Sequence, residues 1–127
     1  MTIPPTGLID IAHLHGVKVL GTLIFEWEAG SIQAKIMLEG KVLCHTEFPK
    51  MAKDSTDDNR LYARKLAEVA HFYGFDGYLM NFECKIDKPD VLLEWLRILK
   101  DELHSLIPHS LLIWYDSVLQ EDGQLLW

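Results

Sequence analysis

Three short apolar runs, set apart by helical patterns, most constrain what this chain can fold into. The first is Val17-Lys18-Val19-Leu20-Gly21-Thr22-Leu23-Ile24-Phe25, the second Phe75 to Phe82, and the third Leu111-Leu112-Ile113-Trp114-Tyr115. The first is nearly continuous, the pattern of a strand covered on both faces. Between the second and third runs, a helix opens with Asp87 as its cap and Pro89 in its first turn. It turns Leu92, Leu96, Leu99, Leu103 and Leu106 inward at spacings of three and four and stops at Pro108. Before the second run, Arg60 to Tyr73 places Leu66, Val69, Ala70 and Tyr73 on one helical face. Ser55, Thr56 and Asp57 stand nearby as caps, and Gly74 closes the helix. Leu8 to His15 follows Pro4-Pro5 and reads as a further helix closing at Gly16. Residues 26–58 show no clear period, and the polar stretch Met51 to Asn59 is a candidate mobile loop.

Strands alternating with amphipathic helices predict parallel βαβ units with right-handed crossovers. A doubly wound sheet and a (β/α)8 TIM barrel both use them. The barrel is favoured, because each apolar run ends in polar or aromatic groups: Glu26 and Trp27, Asn81 and Glu83, Tyr115 and Asp116. Barrel enzymes place their chemistry at that end of the strands. No glycine-rich phosphate loop follows any run, which argues against a nucleotide-binding sheet. A complete barrel takes about 250 residues, and this chain has 127 with three convincing strands. A three-stranded parallel sheet standing alone would leave two bare edges. The expectation is an α/β chain forming part of a barrel, residues 1–127 being a single segment with no internal domain boundary.

Charge and composition narrow the partners. A formal net charge of -7 repels phosphate backbones, so nucleic acid is not an expected partner. No apolar run approaches the roughly 20 residues needed to span a bilayer, and Met1-Thr2-Ile3-Pro4-Pro5 does not look like the start of a secretory signal. The expected location is the cytosol. Cys44 and Cys84 lack C-x-x-C spacing and read as reduced thiols there, with a single bridge as the alternative. His13, His15, His45, His71, His104 and His109 show no metal-ligand spacing, so neither a metal nor another cofactor is expected. No serine sits in a nucleophile elbow.

The second run holds the most informative pair. Side chains alternate along a strand, so Leu79, Asn81 and Glu83 share one face, and Tyr78, Met80 and Phe82 share the other. The large apolar set suits packing under helices. Asn81 and Glu83 would face the barrel axis at its mouth, their Cα atoms roughly 6.5 to 7 Å apart. That spacing lets them touch neighbouring atoms of one ligand. A polar strand end that merely bonds nearby loops is the plainer reading. Two such groups together, flanked by aromatics and preceded by Asp76-Gly77, favour a site.

Phe75-Asp76-Gly77-Tyr78-Leu79-Met80-Asn81-Phe82-Glu83 resembles the catalytic strand of the endo-β-N-acetylglucosaminidases of glycoside hydrolase family 85, which typically carry F-D-G-aromatic-L-I-N-I-E. The resemblance extends over most of the chain. Ile3-Pro4-Pro5, His13-Leu14-His15-Gly16-Val17, Val19-Leu20-Gly21-Thr22 with Glu26-Trp27, and Trp114-Tyr115-Asp116-Ser117-Val118 followed by Gly123-Gln124-Leu125 and Trp127 look like the family's blocks in order. Two departures stand out. Phe82 replaces the usual Ile, at a position facing the helices and therefore without expected catalytic effect. The stretch from Gly40 to Asn59 is longer and more polar than usual.

The resemblance implies hydrolysis of the GlcNAc-β-1,4-GlcNAc core of N-glycans with retention, the substrate's own 2-acetamido oxygen acting as nucleophile. Substrate-assisted families are exceptions to the paired-carboxylate scheme. Glu83 is then the expected general acid and later general base. Asn81 would orient the acetamido group and stabilise the oxazoline-like intermediate through its N–H. Tyr115 matches a position whose hydroxyl also contacts that group, and Trp127 one that lines the sugar site. Glu26 and Trp27, at a strand end, can bind glycan or serve packing. The implied partner is an N-glycan or free oligosaccharide, and the sequence does not state an oligomeric state. Two alternatives stay open: a truncated, non-catalytic fragment or isoform, and a chitinase-like family 18 hydrolase. The latter's D-G-x-D-x-D-x-E pattern needs acids where this chain has Leu79 and Asn81.

Overall fold

The structure, a computed structural model, describes residues 1–40 and 60–115 together with the backbone of 118–119 and 125–126. The elements in chain order are α1 (Thr6–Leu14), β1 (Gly21–Glu26), α2 (Trp27–Glu39), α3 (Leu61–Tyr73), β2 (Gly77–Glu83), α4 (Pro89–Leu106), β3 (Leu111–Trp114), β4 (Val118–Leu119) and β5 (Leu125–Leu126). β1, β2 and β3 form one parallel sheet in that order, and β4 pairs antiparallel with β5. The expected α/β alternation with three parallel strands is therefore present. The polar stretch 51–59 and Cys44 lie outside the described residues.

Three expectations are corrected. First, among the described residues β1 is covered on its helix side alone. Leu23, Phe25, Tyr78, Met80 and Phe82 are buried on the helix side, while Ile24, Glu26 and Ile113 on the other side are exposed and Leu79, Asn81 and Glu83 half-buried. All the helical packing falls on one side, because the open face meets no other layer among the described residues. Second, β1 starts at Gly21, not Val17. Its lead-in is held by Asp76 instead of a ladder: the Val19 N–H donates to Asp76 Oδ2 at 2.7 Å, and the Asp76 N–H to the Val19 carbonyl at 2.7 Å. Third, the aperiodic stretch after Glu26 contains the 13-residue α2. Its buried face is built from Gly30, Ala34, Met37 and Leu38, while Ile32 is exposed. Gly and Ala carry little hydrophobic signal, so the helical period was hidden. Gly40, in the left-handed region at φ 68, closes α2.

On α3 and α4 the buried stripes hold except at their ends. Leu66, Ala70, Leu92, Leu99 and Leu103 are buried and Val69 and Leu96 partly so, but Tyr73 and Leu106, each the last residue of its helix, are exposed. α3 packs on α4, and α2 on β1. Trp95, Ile98, Ala63 and Ala67 complete the core between them and the sheet. Phe82 lies sandwiched: its ring stacks on Phe25 at 4.7 Å and on Trp114 at 5.3 Å between centroids. The departure from Ile at this position thus fills an aromatic layer behind the sheet. Tyr78 is fully buried, donates its hydroxyl to the Leu66 carbonyl at 2.9 Å and meets Phe75 edge-on.

The start of β2 is a clamp. Asp76 Oδ2 also meets His13 Nε2 at 2.7 Å, tying α1 to the sheet. Gly77 follows at φ 130, and a β-carbon there would lie 1.9 Å from the Leu111 carbonyl oxygen. Only glycine permits that approach. Cys84 is buried and carries a free thiol, so it forms no bridge. No helix among the described residues is long and apolar enough to cross a membrane.

Candidate active site

The parallel register gathers the polar strand ends into rows. Ile24 pairs with Asn81 and Glu26 with Glu83, while Met80 pairs with Trp114. Tyr115 continues that register: its N–H donates to the Met80 carbonyl at 2.8 Å, which sets Tyr115 beside Asn81. Residues paired across parallel strands share a face. Asn81, Glu83, Glu26 and Tyr115 therefore stand together at the C-terminal end of the sheet, on the face away from the helices.

Within that group one contact is already made. Asn81 Nδ2 donates to Glu83 Oε1 at 3.1 Å, while Asn81 Oδ1 is buried with no partner. An unsatisfied buried acceptor is unfavourable, by about 1–3 kcal/mol. Glu83 as a carboxylate can only accept, so it holds the nitrogen end of the amide toward itself and leaves the oxygen end without a donor. The arrangement offers a proton-transfer group, a fixed acceptor two residues away and, on the next strand, a phenol. Glu26 and Tyr115 are exposed and free to meet a ligand. A cavity of about 130 Å³ between α2 and the loop at Lys85–Lys88 shares no residue with this row. The reactive groups thus lie on an open face.

Trp27 opens α2 one residue after Glu26. It is 79% exposed and has φ 60, in a region that side chains rarely adopt. Trp127 and Asp116 lie outside the described residues. Asp76-Gly77, counted above in favour of the site, belongs to the opposite end of β2. Seven residue steps separate Asp76 from Glu83, roughly 23 Å on the usual rise, and Asp76 is committed to Val19 and His13. No group of three or more metal-binding side chains occurs among the described residues.

A parallel α/β layer with polar groups gathered at the C-terminal ends of its strands is the arrangement in which barrel enzymes place their chemistry. The chain belongs to glycosyl hydrolase family 85, whose model matches residues 1–127. It is 41% identical over its whole length to cytosolic endo-beta-N-acetylglucosaminidase 2 of Arabidopsis thaliana and 38% to the Homo sapiens cytosolic endo-beta-N-acetylglucosaminidase. It spans only 16% and 15% of those two proteins. The glycoside hydrolase domain of Endo-D from Streptococcus pneumoniae R6 superposes with a TM-score of 0.63 at 28% identity, covering 88% of this chain and 17% of that one.

Proposed function

We propose that residues 1–127 are a segment of a (β/α)8 glycoside hydrolase barrel whose protein cleaves the GlcNAc-β-1,4-GlcNAc core of N-glycans in the cytosol. The observation that carries this reading is the Asn81–Glu83 pair, bonded at 3.1 Å with one amide oxygen left free and buried. The chain's family and the names of its relatives support the substrate class and the location.

The chemistry follows from the free groups. Glu83, protonated, gives its proton to the glycosidic oxygen as the C1–O bond breaks. The 2-acetamido oxygen of the same sugar bonds to C1, giving an oxazolinium ion. Its N–H is the donor that the orphaned Asn81 Oδ1 lacks, so the amide holds the acetamido group in line for attack. This refines the expected role: the oxygen of Asn81, and not only its N–H, meets the substrate. Tyr115, on the adjacent strand, reaches the same group from the other side. Glu83, now a carboxylate, takes a proton from water as the water oxygen attacks C1 and the ring opens. Two inversions at C1 give retention, with no second enzyme carboxylate acting as nucleophile.

The test is release of a labelled N-glycan by cleavage within its core, using the polypeptide that carries this segment. Glu83→Gln is expected to lose nearly all hydrolysis while keeping glycan binding. Asn81→Ala is expected to lose cleavage of the glycan but to keep processing of a preformed sugar oxazoline. Wild-type rates in either variant overturn the assigned roles. Cleavage of chitin oligomers without cleavage of N-glycans overturns the substrate class.

A further inference from the structure

The passage from β1 to α2 is an elbow, not a loop. β1 ends at Glu26 and α2 begins at Trp27 with no intervening residue. Strand alternation would turn Trp27 toward the helices, the side on which Leu23 and Phe25 are buried. At φ 60 its indole is instead 79% exposed. Gly30 makes the sharp turn possible. A β-carbon there would lie 2.6 Å from the Phe25 carbonyl carbon, so only glycine lets α2 seat directly on the end of the strand that it has just left. A strained strand-to-helix turn is the device by which other enzymes lift one side chain clear of a sheet. Strain of this kind persists where it serves a site. Here the displaced group is a large exposed aromatic that follows Glu26 in the chain, and Glu26 is the register partner of Glu83.

The rows of the sheet give this elbow a side. Tyr115 and Asn81 hold the acetamido sugar in the proposed mechanism, and Glu83 stands at the bond being cut. Glu26 lies on the opposite neighbour strand from Tyr115. Tyr115 and Glu26 lie two strand spacings apart across the sheet and two residues apart along it, roughly 12 Å in all, enough for the rings on either side of one glycosidic bond. Resting on that mechanism, we propose that the β1–α2 elbow is the subsite for the leaving sugar. The Trp27 indole would stack on the apolar face of the GlcNAc that stays on the asparagine, and the Glu26 carboxylate would accept hydrogen bonds from its hydroxyls.

Binding of the two products separates this proposal from the mechanism it rests on. The ligands are N-acetylglucosaminyl-asparagine, which carries only the leaving sugar, and an oligomannose chain ending in one GlcNAc. Affinities are measured by titration calorimetry. Trp27→Ala is expected to weaken the first ligand by about tenfold or more and to leave the second unchanged. Trp27→Phe is expected to keep most of the affinity, and Glu26→Gln to weaken the same ligand less than Trp27→Ala does. Because the indole is exposed, Trp27→Ala should unfold like the wild type, which is checked by its melt. Unchanged affinity for N-acetylglucosaminyl-asparagine in Trp27→Ala overturns the subsite, as does a loss confined to the oligomannose ligand. Loss of catalysis in Glu83→Gln with no Trp27 effect on binding would leave the mechanism standing and remove the subsite alone. Failure of the wild-type protein to bind either product removes both.

Discussion

Replacing Gly77 by Ala tests how the site's geometry is held, because the conflict it creates is severe and local. The new β-carbon would sit 1.9 Å from the Leu111 carbonyl oxygen and 2.9 Å from the Leu111 carbonyl carbon and nitrogen. These are backbone atoms of the neighbouring strand, so no rotamer change relieves the clash. β2 and β3 must part by about 1 Å or more before the contact becomes tolerable. Three terms add. A side chain at φ 130 costs about 1–3 kcal/mol. Overpacking against the strand costs about 1–3 kcal/mol. Losing the bond from the Leu111 N–H to the Asp76 carbonyl, 2.8 Å long, costs about 0.5–1.5 kcal/mol. The terms overlap, and about 3–6 kcal/mol is expected, a large part of the 5–15 kcal/mol that holds a typical domain. Urea unfolding followed by circular dichroism measures it, with faster amide exchange at Leu111 and Tyr115 as the local mark. Gly7→Ala is the control: its β-carbon meets nothing within 4 Å inside α1, so it should stabilise by about 0.5–1 kcal/mol. A Gly77→Ala loss below about 1 kcal/mol would refute the claim that this glycine sets the β2–β3 approach.

Other changes have equally definite outcomes. Burial pushes the pKa of the Tyr78 phenol well above its ordinary value, so the folded state keeps the proton while the unfolded chain loses it. Stability should be intact below about pH 10 and fall as pH rises beyond it, and Tyr78→Phe should abolish that slope at a cost of about 1–2 kcal/mol. Cys84 is shifted upward by burial as well and has the same sign, so the pH titrations are compared in a Cys84→Ala background. Asp76→Ala removes the acceptor for Val19 N–H and His13 and should lower stability by about 1–3 kcal/mol, with exchange at Val19 rising. A loss of catalysis at full stability would instead put Asp76 in the chemistry. Phe82→Ile, restoring the family's usual residue, should lose the stack with Phe25 and Trp114 and about 1–2 kcal/mol. It should leave glycan cleavage within about twofold of wild type.

Much of the fold could be read from the chain because packing on one side of a sheet leaves a direct imprint. The leucines of α4 and the alternation Tyr78, Met80, Phe82 against Leu79, Asn81, Glu83 are burial patterns written as sequence. α2 escaped because its buried face rests on Gly30 and Ala34, whose small size is itself the packing feature. The continuous apolar run of β1 fits a strand covered on both sides, yet Ile24 is exposed among the described residues. An apolar run records that a residue tolerates burial, not which surface covers it. The geometry of the candidate site was legible as far as parity carried it: Asn81 and Glu83 on one face from alternation, Glu26 and Tyr115 from their place at strand ends. The positive φ of Trp27 was not legible, since no Gly or Asn marks it. The single hydrogen bond between Asn81 and Glu83, which decides which end of the amide is free, requires coordinates.

Strand β2 shows why these features divide as they do. Its first residues, Asp76 and Gly77, spend all their polar and steric capacity on neighbours: α1, the lead into β1, and β3. Its alternate residues Tyr78, Met80 and Phe82 spend theirs on the helices. Only Asn81 and Glu83 retain unspent capacity, in the form of an acceptor without a donor and an acid half open to solvent. Stability at the N-terminal end of a strand and reactivity at its C-terminal end is the division found in barrel enzymes. The apolar residues that share the reactive face, Ile24, Leu79 and Ile113, are also incompletely covered. Exposed aliphatic groups around a polar pair suit the interior of a barrel, where further strands would bury the former and leave the latter at the mouth. The partly buried acid and the open apolar face are thus two consequences of one geometry, and both point to the same proposed barrel segment.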